Sequence, residues 1–593
     1  MSAKSVLTLA LAAFAAGCAS PGMRDAAPTF DAVRVTEHRD GDDLLTAGLG
    51  LDGLRAAAPP AFADPARPTP AELRRRALWS NWRGIADLSP GGGYGALYGS
   101  TARVPGREYH ALARVPGARQ PHRVVVQVPD AFDTGRRCVV VAPASGSRGV
   151  YGAIAVGGAW GLPKGCAVAY TDKGAGTDWF DLDAGQGIAL DGTVAPAADA
   201  PLAFAPDAPA AGSGVRGIAV KHAHSQDNPE AAWGLHVRQA AEFALQALDR
   251  AFPQAAPFRF DNTRVIAVGI SNGGGAVLRA AEDDAPWLDA VVAGEPNVTV
   301  QGAIPLYDYT TEAALLMPCA LRHMGVPLPP AVGEACIAAA EAGLVDGDDE
   351  AARQRQAYDR LRARGWTDEA LRGGAISVSF DLWRAIAATY ASAYGRFGVD
   401  AHPCGIRFAA TDANGQPRPA TDAERAAWWA DASGIPPGAG AQIVARDGIA
   451  RQLRCLRELW TGEGEAAARV RAGVAATRAG APRAGLPVFV VHGRSDGLIP
   501  AAFTSAPYVR HAREAGGDVR YWQVANAQHF DAFLGLPVFA AQYVPLLPYV
   551  YEALDRTWAH LESGAPLPSD AAIPARPRAG SPLDAAHLAL PQR

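Results

Sequence analysis

The strongest constraint on this chain is the stretch from Arg264 to Asp284. Val265 to Ile270 is an unbroken apolar run rich in β-branched residues, the pattern of a strand buried on both faces. Ala276 to Asp284 is built from good helix formers. Between them stands Gly269-Ile270-Ser271-Asn272-Gly273. A strand that turns directly into a helix forces its corner residue into a strained backbone, and glycines two positions either side relieve the crowding. The corner serine is then held at the strand tip, beside a helix N-terminus. This predicts Ser271 as a nucleophile. The same spacing recurs at Gly493-Arg494-Ser495-Asp496-Gly497, after the strand Pro487 to Val491. There Leu498-Ile499-Pro500 follows, and a proline so near the corner interrupts the helix the arrangement needs. A structural Gly-rich turn is the alternative reading of Ser271.

The rest of the chain supplies strands whose C-terminal ends carry loops. Arg137 to Pro143 predicts a central strand, and Ala144 to Gly152 after it is Gly-rich. Such a loop can aim backbone N–H groups at one point with no side chain in the way, so Gly146 and Ser147 are candidate oxyanion or substrate-binding residues. The N–H of Asn272 would be the second donor. Cys166 to Thr171 predicts the next strand, followed by the loop Asp172 to Asp178. Leu486 to Gly493 is an apolar strand leading into a loop with Asp496, and Val519 to Val524 leads into Asn526-Ala-Gln-His529-Phe-Asp531. Ser271, Asp496 and His529 thus occur in the order Ser, acid, His, each on a loop after a strand. That is the order of the α/β-hydrolases. A serine hydroxyl needs a base to take its proton, and the imidazolium so formed needs a buried carboxylate. The fold class expected is α/β: an α/β-hydrolase core, a mostly parallel sheet with flanking helices, carrying a large helical insertion. Asp531 lies too close to His529 in sequence for the usual geometry.

Length leaves room for several units, since 593 residues suggest two to four domains or one large domain with insertions. We read residues 1–17 as a signal peptide, 18–93 as a tether and irregular segment, 94–300 as the first part of the core, 301–485 as a lid-like helical insertion, 486–563 as the second part of the core, and 564–593 as a Pro-rich tail. Within 18–93 short helices are expected at Asp43 to Ala56 and Ala71 to Arg83. An opening hairpin is expected from Gly95 to Val104 and Tyr109 to Val115. The insertion shows helical patterns at 313–325, 331–343, 350–363, 380–395, 422–431 and 449–460, and no evident strand. Its aromatic residues, Tyr390 and Trp428 among them, would line a pocket or fill helix cores.

Charge and cysteine usage narrow the partners. A net charge of −5 argues against nucleic acid. Lys4, the apolar run Val6 to Ala16 and the small residues before Cys18 describe an export signal too short to span a membrane. Ala15-Ala16-Gly17-Cys18 is similar to a bacterial lipobox. That would make Cys18 a lipid anchor on an exported chain, periplasmic, extracellular or held at the outer membrane; an ordinary signal peptide with a chance cysteine is the alternative. The remaining six cysteines, at 138, 166, 319, 336, 404 and 455, are an even number, as disulfides require. Cys319 with Cys336 closes most easily; the full pairing stays open. His222, His224 and His236 have no acidic residue completing a metal pattern. No metal or cofactor is expected.

Four segments together are far more specific than G-x-S-x-G: Ser145-Gly-Ser-Arg-Gly-Val-Tyr-Gly-Ala-Ile154, Gly165-Cys-Ala-Val-Ala-Tyr-Thr-Asp-Lys-Gly174, Ser271-Asn-Gly-Gly-Gly-Ala276 and Asn526-Ala-Gln-His-Phe-Asp-Ala-Phe533. With them the chain resembles the D-(−)-3-hydroxybutyrate oligomer hydrolases from about residue 30 to 565. The resemblance implies an exported serine esterase that cleaves short 3-hydroxybutyrate oligomers to monomers in polyhydroxybutyrate degradation, with its charge-relay serine at Ser271. Its partner would be a small-molecule oligoester. The alternatives are another exported carboxylesterase, of the tannase or feruloyl-esterase kind, and a non-catalytic surface-binding lipoprotein on a hydrolase fold. The tannase kind commonly carries a cysteine beside the nucleophile, where this chain has Ile270 and Asn272.

Overall fold

Val139 to Ala142 and Val265 to Gly269 carry only apolar side chains or none, so each strand has to lie inside a sheet covered on both faces. A computed structural model describes residues 29–207, 214–329, 332, 335–432, 438–445 and 447–592. The expected leader 1–17 and the candidate anchor Cys18 fall outside these residues. In chain order the strands are β1 (Phe30–His38), β2 (Gly106–Ala113), β3 (His122–Pro129), β4 (Cys138–Pro143), β5 (Ala167–Thr171), β6 (Trp179–Asp181), β7 (Gln186–Ile188), β8 (Val194–Pro196), β9 (Ile218–Val220), β10 (Arg264–Ile270), β11 (Ala290–Gly294), β12 (Arg407–Thr411), β13 (Pro417–Arg418), β14 (Gln442–Val444), β15 (Val488–Gly493), β16 (Val519–Val524) and β17 (Ala571–Ile573).

One ten-stranded sheet runs β1-β2-β3-β5-β4-β10-β11-β15-β16-β17. From β5 to β17 all neighbours are parallel, while β1, β2 and β3 pair antiparallel at one edge. Side chains alternate along each strand, so the central strands feed two separate cores. Val140, Ile266, Val268 and Val292 face one, with the helix Leu547–Ser563 and the helices of the 301–485 segment. Val139, Val141, Val265 and Val291 face the other, with the helices Trp233–Ala251 and Asn272–Ala280. The result is a large, mostly parallel sheet with flanking helices. Among the described residues no helix is long and apolar enough to cross a membrane.

Several elements differ from the sequence reading. The segment 18–93 is not irregular beyond residue 29. β1 is the edge strand of the main sheet, and the helix Pro70–Arg83 starts with a full capping box between Thr69 and Glu72. Residues 95–104 are not the first strand of a hairpin. Gly93, Gly95 and Gly99 all have positive φ and fold the chain into turns, so β2 takes β1 as its antiparallel partner instead. The 301–485 segment is mostly helical but holds a small sheet of order β13-β12-β14. A second small sheet, β8-β7-β6-β9, follows the loop after β5. The tail, as described over 564–592, is a strap: β17 extends the main sheet beside β16. Three disulfides join Cys138 to Cys166, Cys319 to Cys336 and Cys404 to Cys455. The first ties β4 to the residue before β5; the other two lie within the 301–485 segment.

Candidate active site

β10 ends at Ile270 and a helix starts at Asn272, leaving Ser271 alone at the corner with φ 55° and ψ −124°. That is a costly backbone conformation for a residue with a Cβ, and the surroundings hold it there. Ser271 N donates to Gly294 O at 3.0 Å, while Ser271 O accepts from the N–H groups of Gly275 and Asn297. The flanking glycines are steric necessities. A Cβ on Gly269 would sit 2.2 Å from Gly273 O, and one on Gly273 would sit 2.5 Å from Pro143 O. The hydroxyl itself lines a cavity, with Ser271 only 7% exposed.

Asp496 follows β15 and His529 follows β16, so all three groups come from the C-terminal ends of parallel strands on the same edge of the sheet. His529 Nε2 lies 3.1 Å from Ser271 Oγ and its Nδ1 lies 2.8 Å from Asp496 Oδ2. The other oxygen of Asp496 accepts from the N–H groups of Leu498 (2.9 Å) and Ile499 (2.7 Å). Burial by itself would push this carboxyl up. The rings of His529 and then His492 outweigh it and hold the group well below the usual carboxylate range. The arrangement can move a proton from a serine hydroxyl to an imidazole braced by a charged carboxylate.

The loop after β4 folds against the same cavity. Gly146, Ser147 and Asn272 all line it beside Ser271. Asn272 is the first residue of its helix, so its N–H has no acceptor within that helix. Gly146 sits at φ 49°, and its carbonyl accepts from Lys173 Nζ at 2.7 Å. Burial pushes that lysine down to about 7, against the pull of Asp172 and Glu230. Ser147 Oγ is 2.8 Å from His222 Nδ1, whose other nitrogen is 3.5 Å from Glu230. The Asn272 side chain donates to Tyr390 Oη at 2.6 Å and accepts from Asn297 Nδ2 at 2.9 Å. The loop and the start of the helix are therefore braced from behind by buried polar groups.

Other groups that the sequence singled out are placed elsewhere. Ser495, in the loop that carries Asp496, is 4% exposed, and its N–H donates to Ala527 O in the loop that carries His529. Asp531 accepts from the N–H groups of Leu546 and Leu547 rather than touching His529 through its carboxylate. His224 Nδ1 accepts from Val220 N–H, and His236 packs edge-on against His122. Of the aromatic residues of the 301–485 segment, Tyr390 reaches the cavity, joined there by Leu382 and Ile386; Trp428 packs on Trp179 instead.

Four cavity or near-cavity groups escaped the sequence reading: Arg148, Lys173, Tyr390 as a partner of Asn272, and Glu295. Arg148 and Lys173 stood inside recognisable loop motifs. Nothing local marks Glu295, which reaches within 3.7 Å of His529 Nδ1 only because β11 lies between β10 and β15. Its carboxyl is pushed far above the usual range, first by burial and then by Asp496 and Asp531. Among the described residues, Glu295, Asp496 and His529 are the one group whose ligand atoms, all within 4.8 Å, could converge on a metal ion. Both ring nitrogens of His529 are already engaged, by Asp496 and Ser271, which fits proton transfer better than ligation.

The family model described as "3HB-oligomer hydrolase" matches residues 10–592. A D-(−)-3-hydroxybutyrate oligomer hydrolase of Paracidovorax citrulli is 38% identical, over 91% of this chain and 88% of its own. One of Burkholderia vietnamiensis is 39% identical, over 94% of this chain and 90% of its own. Among solved structures, feruloyl esterase B of Aspergillus oryzae is 12% identical at a TM-score of 0.35, over 82% of this chain and 84% of its own, too loose a likeness to bear on function.

Proposed function

The chain belongs to the 3HB-oligomer hydrolase family, and from that membership and its site we propose that it is a serine esterase hydrolysing short D-(−)-3-hydroxybutyrate oligomers to monomers. The observation that carries the chemistry is the His529 ring, which spans from Ser271 Oγ to Asp496 Oδ2 inside one cavity. Ser271 attacks the ester carbonyl while His529 Nε2 takes its proton. Asp496, kept charged, holds the ring in the tautomer that presents a free Nε2 and stabilises the imidazolium. The carbonyl oxygen, now negative, is met by backbone N–H groups of Asn272 and of the Gly146–Ser147 turn. His529 then returns the proton to the departing 3-hydroxyl. A water activated by the same ring releases the acyl group from Ser271.

The cavity walls suit this substrate. Leu306, Leu382, Ile386, Leu498 and Ile499 offer apolar contact to the methyl and methylene groups of a hydroxybutyrate unit. The three disulfides support our reading of residues 1–17 as an export leader, and the lipobox-like Ala15-Ala16-Gly17-Cys18 supports Cys18 as a lipid anchor. The test is monomer release from 3-hydroxybutyrate dimer and trimer, beside p-nitrophenyl butyrate, with wild type and Ser271→Ala. Release from the oligomers, lost by about 10⁴-fold or more in the variant, is expected. Cleavage of p-nitrophenyl butyrate alone would keep the serine mechanism and overturn the substrate. Near wild-type activity of Ser271→Ala would overturn the nucleophile.

A further inference from the structure

Arg148 is a buried cation whose charge no acidic group among the described residues answers. Its residue is 7% exposed and lines the cavity that holds Ser271 and His529. Nη2 donates to Gly84 O at 2.7 Å, and Nη1 reaches Asn81 Oδ1 at a long 3.5 Å. Among the described residues no carboxylate lies within ion-pair distance of it. Burial lowers its pKa to about 10, and no acidic group opposes the shift. The space for it is built in, since a Cβ on Gly84 would come within 2.3 Å of the guanidinium. The two acidic groups that line the same cavity are otherwise engaged: Glu295 faces His529, and Asp531 accepts from the N–H groups of Leu546 and Leu547. Lys173 lies close enough behind the loop for Arg148 to help lower its pKa. A guanidinium kept dry without a counter-ion is costly, and its planar fork of donors matches a carboxylate.

The chemistry of the substrate then sets a direction. A linear 3-hydroxybutyrate oligomer has one free hydroxyl end and one free carboxylate end. Seen from any of its esters, the carboxylate end lies on the alcohol side, the side that leaves. A cation in the Ser271 cavity can therefore meet a substrate carboxylate only through the leaving group. We infer that Arg148 binds the terminal carboxylate of the oligomer, so that the ester cut is the last one and each turnover releases one 3-hydroxybutyrate from the carboxyl end. In that step the Ser271 Oγ–acyl bond forms and the bond from the acyl carbon to the terminal unit's 3-oxygen breaks. The serine proton passes through His529 Nε2 to that oxygen, and the terminal unit departs as a hydroxy acid anion. This inference rests on the substrate reading above.

The experiment compares kcat/KM of the full chain for the dimer and for the dimer whose carboxylate is replaced by an uncharged carboxamide of the same shape. Wild type is expected to favour the free acid by about tenfold to a hundredfold, the range of a charge-assisted hydrogen-bond pair. In Arg148→Gln that preference should collapse towards unity, and Arg148→Lys should keep part of it. A trimer labelled with ¹³C in its hydroxyl-terminal unit should, early in the reaction, show the label in the dimer product and not in the monomer. Equal wild-type rates on acid and amide, or label appearing first in the monomer, would overturn the role of Arg148 while leaving the esterase intact. Failure to cut either dimer, with p-nitrophenyl butyrate still cleaved, would overturn the substrate reading and this inference with it.

Discussion

Two carboxyl groups face the same edge of the His529 ring, Asp496 at 2.8 Å and Glu295 at 3.7 Å, and their surroundings drive them apart. Asp496 has two backbone donors and two imidazoles around it and stays charged. Glu295 has burial and a charged neighbour against it, and its Oε2 finds no hydrogen-bond partner, so its ionised form is disfavoured. Asp496→Asn is accordingly expected to lower kcat by about 10⁴-fold, as loss of the charged partner of a catalytic histidine does. Glu295→Gln, which resembles the neutral acid, should stay within several-fold of wild type at neutral pH. Steady-state kinetics of both variants decide the assignment, and an equal collapse in Glu295→Gln would make Glu295 a charged partner. Asp531 is pushed up to about 7 by burial, despite two backbone donors. An unfolded aspartate ionises near pH 4, so between about pH 4 and about 7 the native state holds the extra proton. The stabilisation is complete below that window and is lost as pH rises through it. Asp531→Asn cannot ionise, and its Tm should fall less than that of wild type between about pH 5 and about pH 8. Parallel curves in scanning calorimetry would remove Asp531 from the account.

At the scale of elements, the tail does more than cover an edge. β17 pairs with β16 from Trp522 to Val524, Trp522 Nε1 donates to Ser569 O, and Tyr549 Oη donates to Leu588 O. Asn526, three residues before His529, donates its side-chain amide to Ala575 O at 2.9 Å. Removing residues 566–593 would bare the backbone of β16, an invitation to edge-to-edge association, and would free the loop that carries the catalytic imidazole. Size-exclusion chromatography is expected to show aggregated material, with lowered kcat in whatever monomer remains. A monodisperse, fully active truncation would show the strap to be dispensable. The half-exposed pattern of β1 and the shortness of β17 explain why neither edge stood out in the sequence. Edge strands bury one face at most, so they lack the continuous apolar runs that mark β4, β10 and β15.

Across the whole molecule, the cavity is closed by parts far apart in the chain. The sheet contributes Ser271, Asp496 and His529, and the helix Leu382–Gly395 contributes Leu382, Ile386 and Tyr390 from above. Tyr390 joins the two halves, accepting a hydrogen bond from Asn272 Nδ2 at 2.6 Å and meeting Ser147 as well. Tyr390→Phe keeps the ring and removes that bond, so the residue whose N–H faces the oxyanion loses a brace. A fall in kcat of about fivefold to tenfold, with little change in Tm, is expected from the loss of one buried bond of about 1 kcal/mol. An unchanged kcat would mean that Asn297 alone holds Asn272.

The sequence by itself determined the reactive groups and their order. A glycine-flanked corner, a charged loop and a histidine loop each follow a strand that local patterning marks, because burial on both faces and tight turns leave short-range signatures in residue type. The mostly parallel sheet follows from the same runs. Only the tertiary structure decided which carboxyl is charged, which cation is left without a counter-ion, and which helix roofs the cavity. Glu295 meets His529, and Tyr390 meets Asn272, across more than a hundred residues of chain, and the ionisation or hydrogen bonding of these two and of Arg148 depends on burial and distance, neither of which is written in the neighbouring residues.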